Sequence, residues 1–478
     1  MNIWKAPASP KWFLSPTLAI LTCVLVSPPL ASGQAIDAEL GAGFKAGFTC
    51  SAVFHAGRSL EQVLQDELGG IAPLEALPDP VVDSATKSVT CAYSAEKPPR
   101  LAVFRDGLGT VLLPPGATLA DAIAFPAVDI PLPQGDPAVL PWPDGDLLPE
   151  GPLPPGIDAE RLQQAVEEAF TGTQYEPHKT IGVVVVHNDR IIAERYAEGW
   201  DRNTQYRTWS TAKSITNALI GILVGMGKLR VDQPVPVPEW QGADDPRRDI
   251  TIEHLLHMSS GLASEGSDTF NGYWGGIDTA ADAAKSPLEV EPGTRWKYAN
   301  YDTLLLVRSM REVLPDFATY LTFPRRALLN KIGMRHTFPE TDAYGNFILS
   351  SQVYTTPRDL ARFGLLYLHD GVWNGERILP EGWVAYSMMP APAKKQRKPG
   401  EHGYGKQFWL IGYDPRVPDG SFTTAGHRGQ YATVVPSLNL VVARMGLDPL
   451  LGDGWDQAAF VADIIQSFHP QGGPTSKQ

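Results

Sequence analysis

The sequence predicts an α+β domain in which one antiparallel sheet is built from both ends of the domain, with flanking helices and a helical subdomain at its side. Three observations predict this fold class. A hairpin pattern opens the domain at residues 181–196, and helical patterns fill its middle. Strand-like segments then return near the end of the chain, at residues 407–413, 422–426, 430–436 and 438–445. Strands at both ends with helices between them are expected to share one sheet.

Length and composition restrict the class of protein. The chain has 478 residues, of which 43% are hydrophobic and 19% are charged, and this is ordinary for a globular enzyme with more than one domain. The formal net charge is -13. Because phosphate binding needs clustered Lys and Arg, we expect no nucleic-acid partner.

Residues 1–33 have the pattern of an export signal. Lys5 and Lys11 precede an apolar stretch at residues 12–26, and small residues follow at 31–35. An uncleaved anchor is the alternative, but prolines shorten the apolar run below the roughly 20 residues that span a bilayer. We therefore expect cleavage near Gln34, a periplasmic or extracellular protein, and no stable membrane span afterwards.

Three cysteines occur in the chain, and Cys23 lies in the predicted signal. The remaining pair, Cys50 and Cys91, is expected to form a disulfide, because cysteines of an exported protein are commonly bridged. Two buried free thiols are the alternative, since the sequence does not supply the geometry.

Composition divides the rest of the chain into four segments. Residues 34–125 form an N-terminal accessory region in which we find no catalytic constellation. Residues 126–156 are rich in proline and predict an extended connector, with Trp142 against the next domain. The catalytic domain is expected at residues 157–470, opening with an amphipathic helix at 157–170, and residues 471–478 form a tail.

The strongest chemical motif is the tetrad Ser210-Thr211-Ala212-Lys213. Apolar residues at 215, 218, 219 and 222 predict a helix with one buried face, so the tetrad lies on its first turn. Residues three apart share one side of a helix, which lets the Lys213 amine reach the Ser210 hydroxyl. A lysine whose pKa is lowered by burial can remove the serine proton. Matching tetrads begin at Ser84 and Ser94, but neither stands in a helical context.

Two further features have alternative interpretations. Residues 263–285 are rich in Gly, Ser and Asp, and predict a mobile loop that closes over the site with Phe270, Tyr273 and Trp274. A surface loop with packed aromatic residues is the alternative. His254 and His257 lie three apart on a predicted helix at 250–258, but no further ligands accompany them, so we expect structural histidines and no metal.

Three motifs in chain order carry a resemblance to a known family. Ser210-x-x-Lys213, Tyr298-x-Asn300 and His427-Arg428-Gly429 resemble the three boxes of serine β-lactamases and penicillin-binding proteins. The class C-like branch is most similar, and it includes esterases, D-amino-acid peptidases and 6-aminohexanoate-dimer hydrolases. The resemblance spans about residues 157–470 and implies a β-lactamase/transpeptidase-like fold. Similar strings begin at Tyr344 and at His369, but their glycines indicate turns.

The resemblance also implies roles for individual residues. Ser210 would attack a carbonyl to form an acyl-enzyme, and Lys213 with Tyr298 would transfer protons, either one being the principal base. Asn300 would orient Lys213 and the substrate. The backbone N–H groups of Ser210 and of Gln430, the residue after Gly429, would form the oxyanion hole. No cofactor is implied.

His427 stands where penicillin-binding relatives have a lysine that holds a substrate carboxylate. A histidine is only partly charged near neutral pH, so carboxylate recognition is expected to be weak. We therefore expect a secreted serine hydrolase acting on a small ester or amide. A β-lactamase or D-amino-acid peptidase of the same fold, and a non-catalytic ligand-binding relative, are the alternatives. The sequence does not specify the oligomeric state.

Overall fold

The computed structural model describes residues 37–123, 128–264, 266–394, 401–450 and 454–468. The predicted signal and the C-terminal tail lie outside these residues. Within the described ranges, no helix combines the length and apolar composition needed to cross a membrane.

Fourteen α-helices occur in the described residues. In chain order they are α1 Ala38–Phe54, α2 Leu60–Val63, α3 Ala72–Glu75, α4 Leu119–Ile123, α5 Ala159–Thr171, α6 Ala212–Gly225, α7 Ile252–Leu256, α8 Gly266–Trp274, α9 Thr279–Ala284, α10 Asn300–Val313, α11 Phe317–Pro324, α12 Pro357–Leu368, α13 Trp383–Ser387 and α14 Gln457–Ile465. Short π-helical turns at Leu64–Leu68 and Arg325–Leu329 continue α2 and α11.

Sixteen strands occur in the same residues. They are β1 Val81–Asp83, β2 Ser88–Cys91, β3 Arg100–Arg105, β4 Gly109–Leu112, β5 Thr180–His187, β6 Arg190–Tyr196, β7 Tyr206–Arg207, β8 Phe338–Pro339, β9 Val353–Thr355, β10 Val372–Trp373, β11 Glu376–Arg377, β12 Gly403–Tyr404, β13 Trp409–Leu410, β14 Phe422–Gly426, β15 Gln430–Val435 and β16 Leu440–Gly446.

The main sheet has seven antiparallel strands in the order β12-β13-β14-β15-β16-β5-β6. The pairing of β16 with β5, for example Val441 opposite Val186, joins the end of the domain to its beginning. The β5–β6 hairpin turns at Asn188 and Asp189, whose positive φ angles of 47° and 62° suit residues that tolerate the left-handed region. The predicted sheet built from both ends is confirmed.

Alternation along β5 divides the domain into two apolar layers. Val184 and Val186 face the main core with α6, α10 and α12, while Val183 and Val185 face a second cluster with α5 and α14. Helix α12 begins where the Thr356 side chain accepts a hydrogen bond from Asp359 N, and Pro357 occupies its first position. The sheet is therefore covered by helices on both faces, and the nucleophile helix α6 lies in the main core.

Helix α1 and the four-stranded sheet β1-β2-β3-β4 form an N-terminal subdomain. Residues 44–54, an apolar run in the sequence, belong to this helix. The expected disulfide is not present: Cys50 on α1 and Cys91 on β2 are both free, buried thiols. They lie in an apolar cluster with Ala42, Val89 and Ala102, where a free cysteine packs as a small hydrophobic residue.

The proline-rich connector is fixed against the catalytic domain. Trp142 is buried, as expected, and the guanidinium of Arg362 lies 4.6 Å from its ring centroid. Arg362 also donates to the carbonyls of Pro143 and Gly145, at 2.7 Å and 2.6 Å. These contacts anchor the segment to α12 and exclude a freely solvated linker.

The expectation of a mobile loop at residues 263–285 is wrong for most of the segment. It contains the helices α8 and α9, and Tyr273 and Trp274 are buried in the main core. The polar, glycine-rich composition suggested a loop, but tertiary packing of the aromatic residues outweighs that local preference. The strand expected at 407–413 is also shorter, since only Trp409–Leu410 pair.

Candidate active site

Ser210 lies just before the N-terminus of helix α6. It belongs to a 3-10 turn, Trp209–Thr211, that leads directly into α6, so the tetrad is at the helix start as predicted. The turn is tied to β9 by a 2.8 Å hydrogen bond from Thr208 N to Val353 O. Ser210 is partly exposed, whereas its neighbours Trp209 and Thr211 are buried. The hydroxyl is therefore accessible on a rigid base.

Lys213 is 1% exposed and points at the nucleophile. Its Nζ lies 3.2 Å from Ser210 Oγ, 2.6 Å from Asn300 Oδ1 and 2.7 Å from the Ser350 carbonyl oxygen. Burial lowers the pKa of Lys213 well below its usual value of 10.5. Among the residues that the structure describes, no charged group offsets that burial, so the neutral amine is favoured.

A neutral Lys213 amine is able to satisfy all three of its contacts. Such an amine has two N–H groups and one lone pair. Asn300 Oδ1 and the Ser350 carbonyl can only accept hydrogen bonds, so they take the two N–H groups. In the neutral form, the lone pair of Nζ is left for the Ser210 hydroxyl. The 3.2 Å distance between Nζ and Oγ suits removal of the serine proton.

Tyr298 completes the polar group around Ser210. Burial raises the pKa of Tyr298 above its usual value of 10, and a hydrogen bond with Ser210 offsets part of that rise. Its ring stacks against Trp409 at 5.8 Å and meets Tyr404 edge-on at 6.0 Å. Tyr298 is thus a protonated phenol at neutral pH, held in position by aromatic packing.

Asn300 is the first residue of α10, and Ala299 before it is in an extended conformation. This change from extended chain to helix places Tyr298 and Asn300 on the same side, towards α6. The predicted motif Tyr-x-Asn is therefore brought together with Ser-x-x-Lys.

The third motif lies in a turn rather than in a strand. Residues 427–429 connect β14 to β15, and Arg428 and Gly429 have φ angles of 59° and 88°. A Cβ atom on Gly429 would collide with Arg444 and Asp448, so glycine is required there. From its position between two predicted strands, this motif suggested that strand alternation would send His427 and Arg428 to opposite faces, but neither residue is in a strand.

Arg428 nevertheless points away from the nucleophile. Its guanidinium donates to the backbone oxygens of Asp448 and Asp66, at 2.9 Å and 2.8 Å. The His427 ring packs edge-on against Trp209, at 5.3 Å between centroids. Burial, with a smaller contribution from the Arg428 charge, lowers the pKa of His427 to about 4. His427 is therefore uncharged at neutral pH.

Gln430 begins β15 beside the nucleophile turn. Its carbonyl accepts a 2.8 Å hydrogen bond from Thr211 Oγ1, next to Ser210. Its side-chain amide donates to the carbonyls of Arg428 and Gly446, at 2.9 Å and 2.7 Å, which fixes the preceding turn. The backbone of Gln430 thus lies close to Ser210, where the resemblance places half of an oxyanion hole.

Of the three candidate lid residues, Tyr273 is connected to the site. Its hydroxyl lies 2.6 Å from Ser350 Oγ, and the carbonyl of Ser350 accepts from Lys213. Trp274 packs against Phe270 and the N-terminal subdomain instead. Tyr273 therefore supports the site through Ser350 and does not close over it as a mobile side chain.

Sequence reasoning missed Ser350 and Asp302. Ser350 contributes a backbone carbonyl, which any residue type could supply, so no sequence signal marks it. Asp302 lies two residues after Asn300, is fully buried, and accepts a 2.6 Å hydrogen bond from Ser260 Oγ. Burial raises the pKa of Asp302 to about 7. A carboxyl group inside an apolar helical segment was the available signal.

The remaining candidate motifs lie outside this site. Residues 84–87 and 94–97 are non-helical, and residues 344–346 and 369–371 lie in turns and bends. His254 closes the capping box at the start of α7, accepting from Thr251 N at 3.2 Å, and His257 is buried. In the described ranges, no group of three or more His, Cys, Asp or Glu side chains could hold a metal ion.

The fold and this arrangement define a serine hydrolase, the class of enzyme in which an activated serine attacks a carbonyl group. The chain belongs to the beta-lactamase family, whose model matches residues 166–446, more than half of the chain. The family resemblance predicted from the three motifs is confirmed, and so is the fold. The N-terminal subdomain precedes the matched residues.

Individual relatives share little sequence identity with this chain. The 6-aminohexanoate-dimer hydrolase of Paenarthrobacter ureafaciens is 24% identical over 60% of this chain and 75% of its own. The structure of a candidate 6-aminohexanoate-dimer hydrolase from Bacillus anthracis has a TM-score of 0.54 at 19% identity, covering 71% of this chain and 90% of that chain. A family VIII carboxylesterase has a TM-score of 0.50 at 15% identity, covering 67% and 98%. At this identity the two structures show the shared fold alone.

Proposed function

We propose that this protein is an exported serine hydrolase that cleaves small esters through an acyl-enzyme on Ser210. The observation that carries the proposal is the environment of Lys213, a buried amine whose Nζ lies 3.2 Å from the Ser210 hydroxyl and whose pKa is lowered by burial. The pattern of residues 1–33 is the support for export.

The proposed reaction has an acylation step and a deacylation step, and Lys213 accepts a proton in each. Neutral Lys213 takes the Ser210 proton as Oγ attacks the substrate carbonyl, and the backbone N–H groups of Ser210 and Gln430 stabilise the oxyanion. Protonated Tyr298 gives its proton to the leaving alkoxide and regains one from Lys213. Water then attacks the acyl-enzyme and gives a proton to Lys213. As the tetrahedral intermediate collapses, Lys213 returns that proton to Ser210 Oγ, which releases the acid and regenerates the neutral amine and the serine hydroxyl. The pKa shifts favour Lys213 over Tyr298 as the base, since burial favours the neutral form of both.

Ester substrates are supported by the third motif. His427 is uncharged at neutral pH, so it does not supply the permanent cation that would hold a substrate carboxylate. An alkoxide also leaves more readily than an unprotonated amine, so esters need less help at the leaving group. Linear aminoacyl amides are the second candidate, supported by the name of the Paenarthrobacter relative. A β-lactamase and a D-amino-acid peptidase remain alternatives within the same fold.

A substrate panel tests this proposal. We expect a higher kcat/KM for short acyl p-nitrophenyl esters than for a linear aminoacyl amide, and the lowest value for a chromogenic cephalosporin. The His427→Lys variant should raise cephalosporin turnover relative to ester turnover, because it restores a cation. A cephalosporin preferred by the wild-type protein would contradict the ester proposal. Absence of turnover on every substrate would favour the non-catalytic alternative.

A further inference from the structure

Helix α1 precedes the residues that the family model matches, yet it lies directly against the nucleophile turn. Phe48 on α1 is fully buried, and its ring centroid is 5.5 Å from that of Trp209, the residue immediately before Ser210. The guanidinium of Arg207 covers the Phe48 ring at 3.7 Å. A residue of the N-terminal subdomain thus packs against both β7 and the chain that carries the nucleophile.

The backbone of Trp209 is in a conformation that needs support. Its φ of 49° lies in the left-handed region, which is costly for a bulky residue and persists only when the surroundings hold it. The indole Nε1 is buried without a hydrogen-bond partner among the described residues. The position of the ring therefore depends on packing, and in the described part of the chain the aromatic rings of Phe48 and His427 lie against it.

A second set of contacts links the same helix to α8. The Phe44 ring stacks on Phe48 at 4.1 Å and meets Trp274 at 4.5 Å. Arg100 of β3 donates to the carbonyls of Trp274 and Gly275, both at 3.1 Å. These contacts hold the end of α8 that carries Tyr273. Since Tyr273 bonds Ser350, they also support the carbonyl that binds Lys213.

We propose that Phe48 is a positioning residue for Ser210, and that the N-terminal subdomain is part of the catalytic unit rather than an accessory to it. The Phe48 ring holds Trp209 in its left-handed conformation, which sets the position of the Ser210 hydroxyl relative to Lys213 and Tyr298. This inference rests on the proposed function.

The test compares two substitutions on the same helix. Phe48→Leu removes the ring that faces Trp209, whereas Phe54→Leu removes a ring that packs on Phe104 within the N-terminal subdomain. Both shorten a partly or fully buried aromatic side chain, so both should lower Tm. We expect Phe48→Leu to reduce kcat by at least about tenfold with KM little changed, because a small displacement of a nucleophile has a large effect on rate. Phe54→Leu should keep kcat close to the wild-type value.

A double substitution separates positioning from general stability. Glycine adopts positive φ without strain, so Trp209→Gly removes the need for support by Phe48. In that background Phe48→Leu should cause no further loss of kcat, although it should still lower Tm. Equal kcat losses for Phe48→Leu in both backgrounds, or a wild-type kcat in the Phe48→Leu protein, would overturn the inference. If the wild-type protein itself hydrolyses no ester and takes no label on Ser210, the proposed function fails instead.

Discussion

The Nζ atom of Lys213 and the Oδ1 atom of Asn300 are 2.6 Å apart, the shortest contact that the lysine makes. This contact joins the helix of the first motif to that of the second. Because the partner oxygen belongs to an amide and not to a carboxylate, it favours the charged form of the amine much less than a carboxylate would. The choice of asparagine at position 300 therefore allows Lys213 to stay neutral.

Asn300→Asp tests this relationship with almost no change of shape. A carboxylate this close to Lys213 favours the ammonium form and raises the pKa of the lysine by about one unit or more. The protonated amine does not accept the serine proton, so the acidic limb of kcat/KM should move to higher pH by a similar amount. The pH profile of ester hydrolysis gives the measurement. If the acidic limb of the kcat/KM profile of Asn300→Asp lies at the same pH as in the wild type, Lys213 is not the base.

Tyr298→Phe should preserve the packing against Trp409 and Tyr404 and remove only the hydroxyl. We expect at least about a hundredfold loss in kcat/KM, since a proton transfer is lost. The loss should be greater for an ethyl ester than for a p-nitrophenyl ester, because the poorer leaving group depends more on protonation. Equal rates for variant and wild type would leave Lys213 as the sole proton-transfer group.

The buried carboxyl of Asp302 should make stability depend on pH. Its pKa is 3.8 in the unfolded reference and about 7 in the folded protein. Between these values the unfolded chain releases the proton while the folded protein keeps it, so the free energy of unfolding falls as pH rises from about 4 to about 7.

Asp302→Asn stays neutral and keeps an oxygen for Ser260. It should therefore raise Tm at pH 8 by roughly 2 °C or more and have little effect at pH 4.5, as measured by calorimetry. Asp316→Asn is a control of opposite sign, because hydrogen bonds from Thr319 lower the pKa of that exposed carboxylate. An Asp302→Asn protein less stable than wild type at pH 8 would contradict the assignment.

Cys50 and Cys91 should behave as free but unreactive thiols. Burial raises the pKa of Cys50 to about 12 and that of Cys91 to about 11, which suppresses the thiolate that reacts. A thiol reagent should find almost no reactive thiol in the folded chain starting at Gln34, and two after denaturation without reductant. Finding none after denaturation would restore the disulfide expected from the sequence.

The sequence predicted the strands of the main sheet and the four polar residues of the first two motifs, because both depend on local pattern. Ser210 and Lys213 are three residues apart on one helix, and Tyr298 and Asn300 span a single helix start. Spacing alone brings each pair together, and the order of motifs in the chain then identifies the family.

The parts that the sequence did not predict depend on contacts between distant segments. The packing of Phe48 on Trp209 joins residues more than 150 positions apart, and composition alone suggested an accessory region. The cysteine pairing was inferred from compartment, which supplies no geometry. The expected lid failed for a similar reason: Tyr273 and Trp274 have core partners that their polar neighbours did not reveal.

Covalent labelling of Ser210 tests the central claim most directly. The protein should be treated with a fluorophosphonate at neutral pH and analysed by mass spectrometry, with Ser84→Ala as a matched control and Ser210→Ala as the negative. We expect one adduct per chain on the peptide containing Ser210 in the wild type and in Ser84→Ala, and none in Ser210→Ala, with ester hydrolysis lost in parallel. Unchanged hydrolysis in Ser210→Ala, or an adduct on another serine, would contradict the claim that Ser210 is the nucleophile.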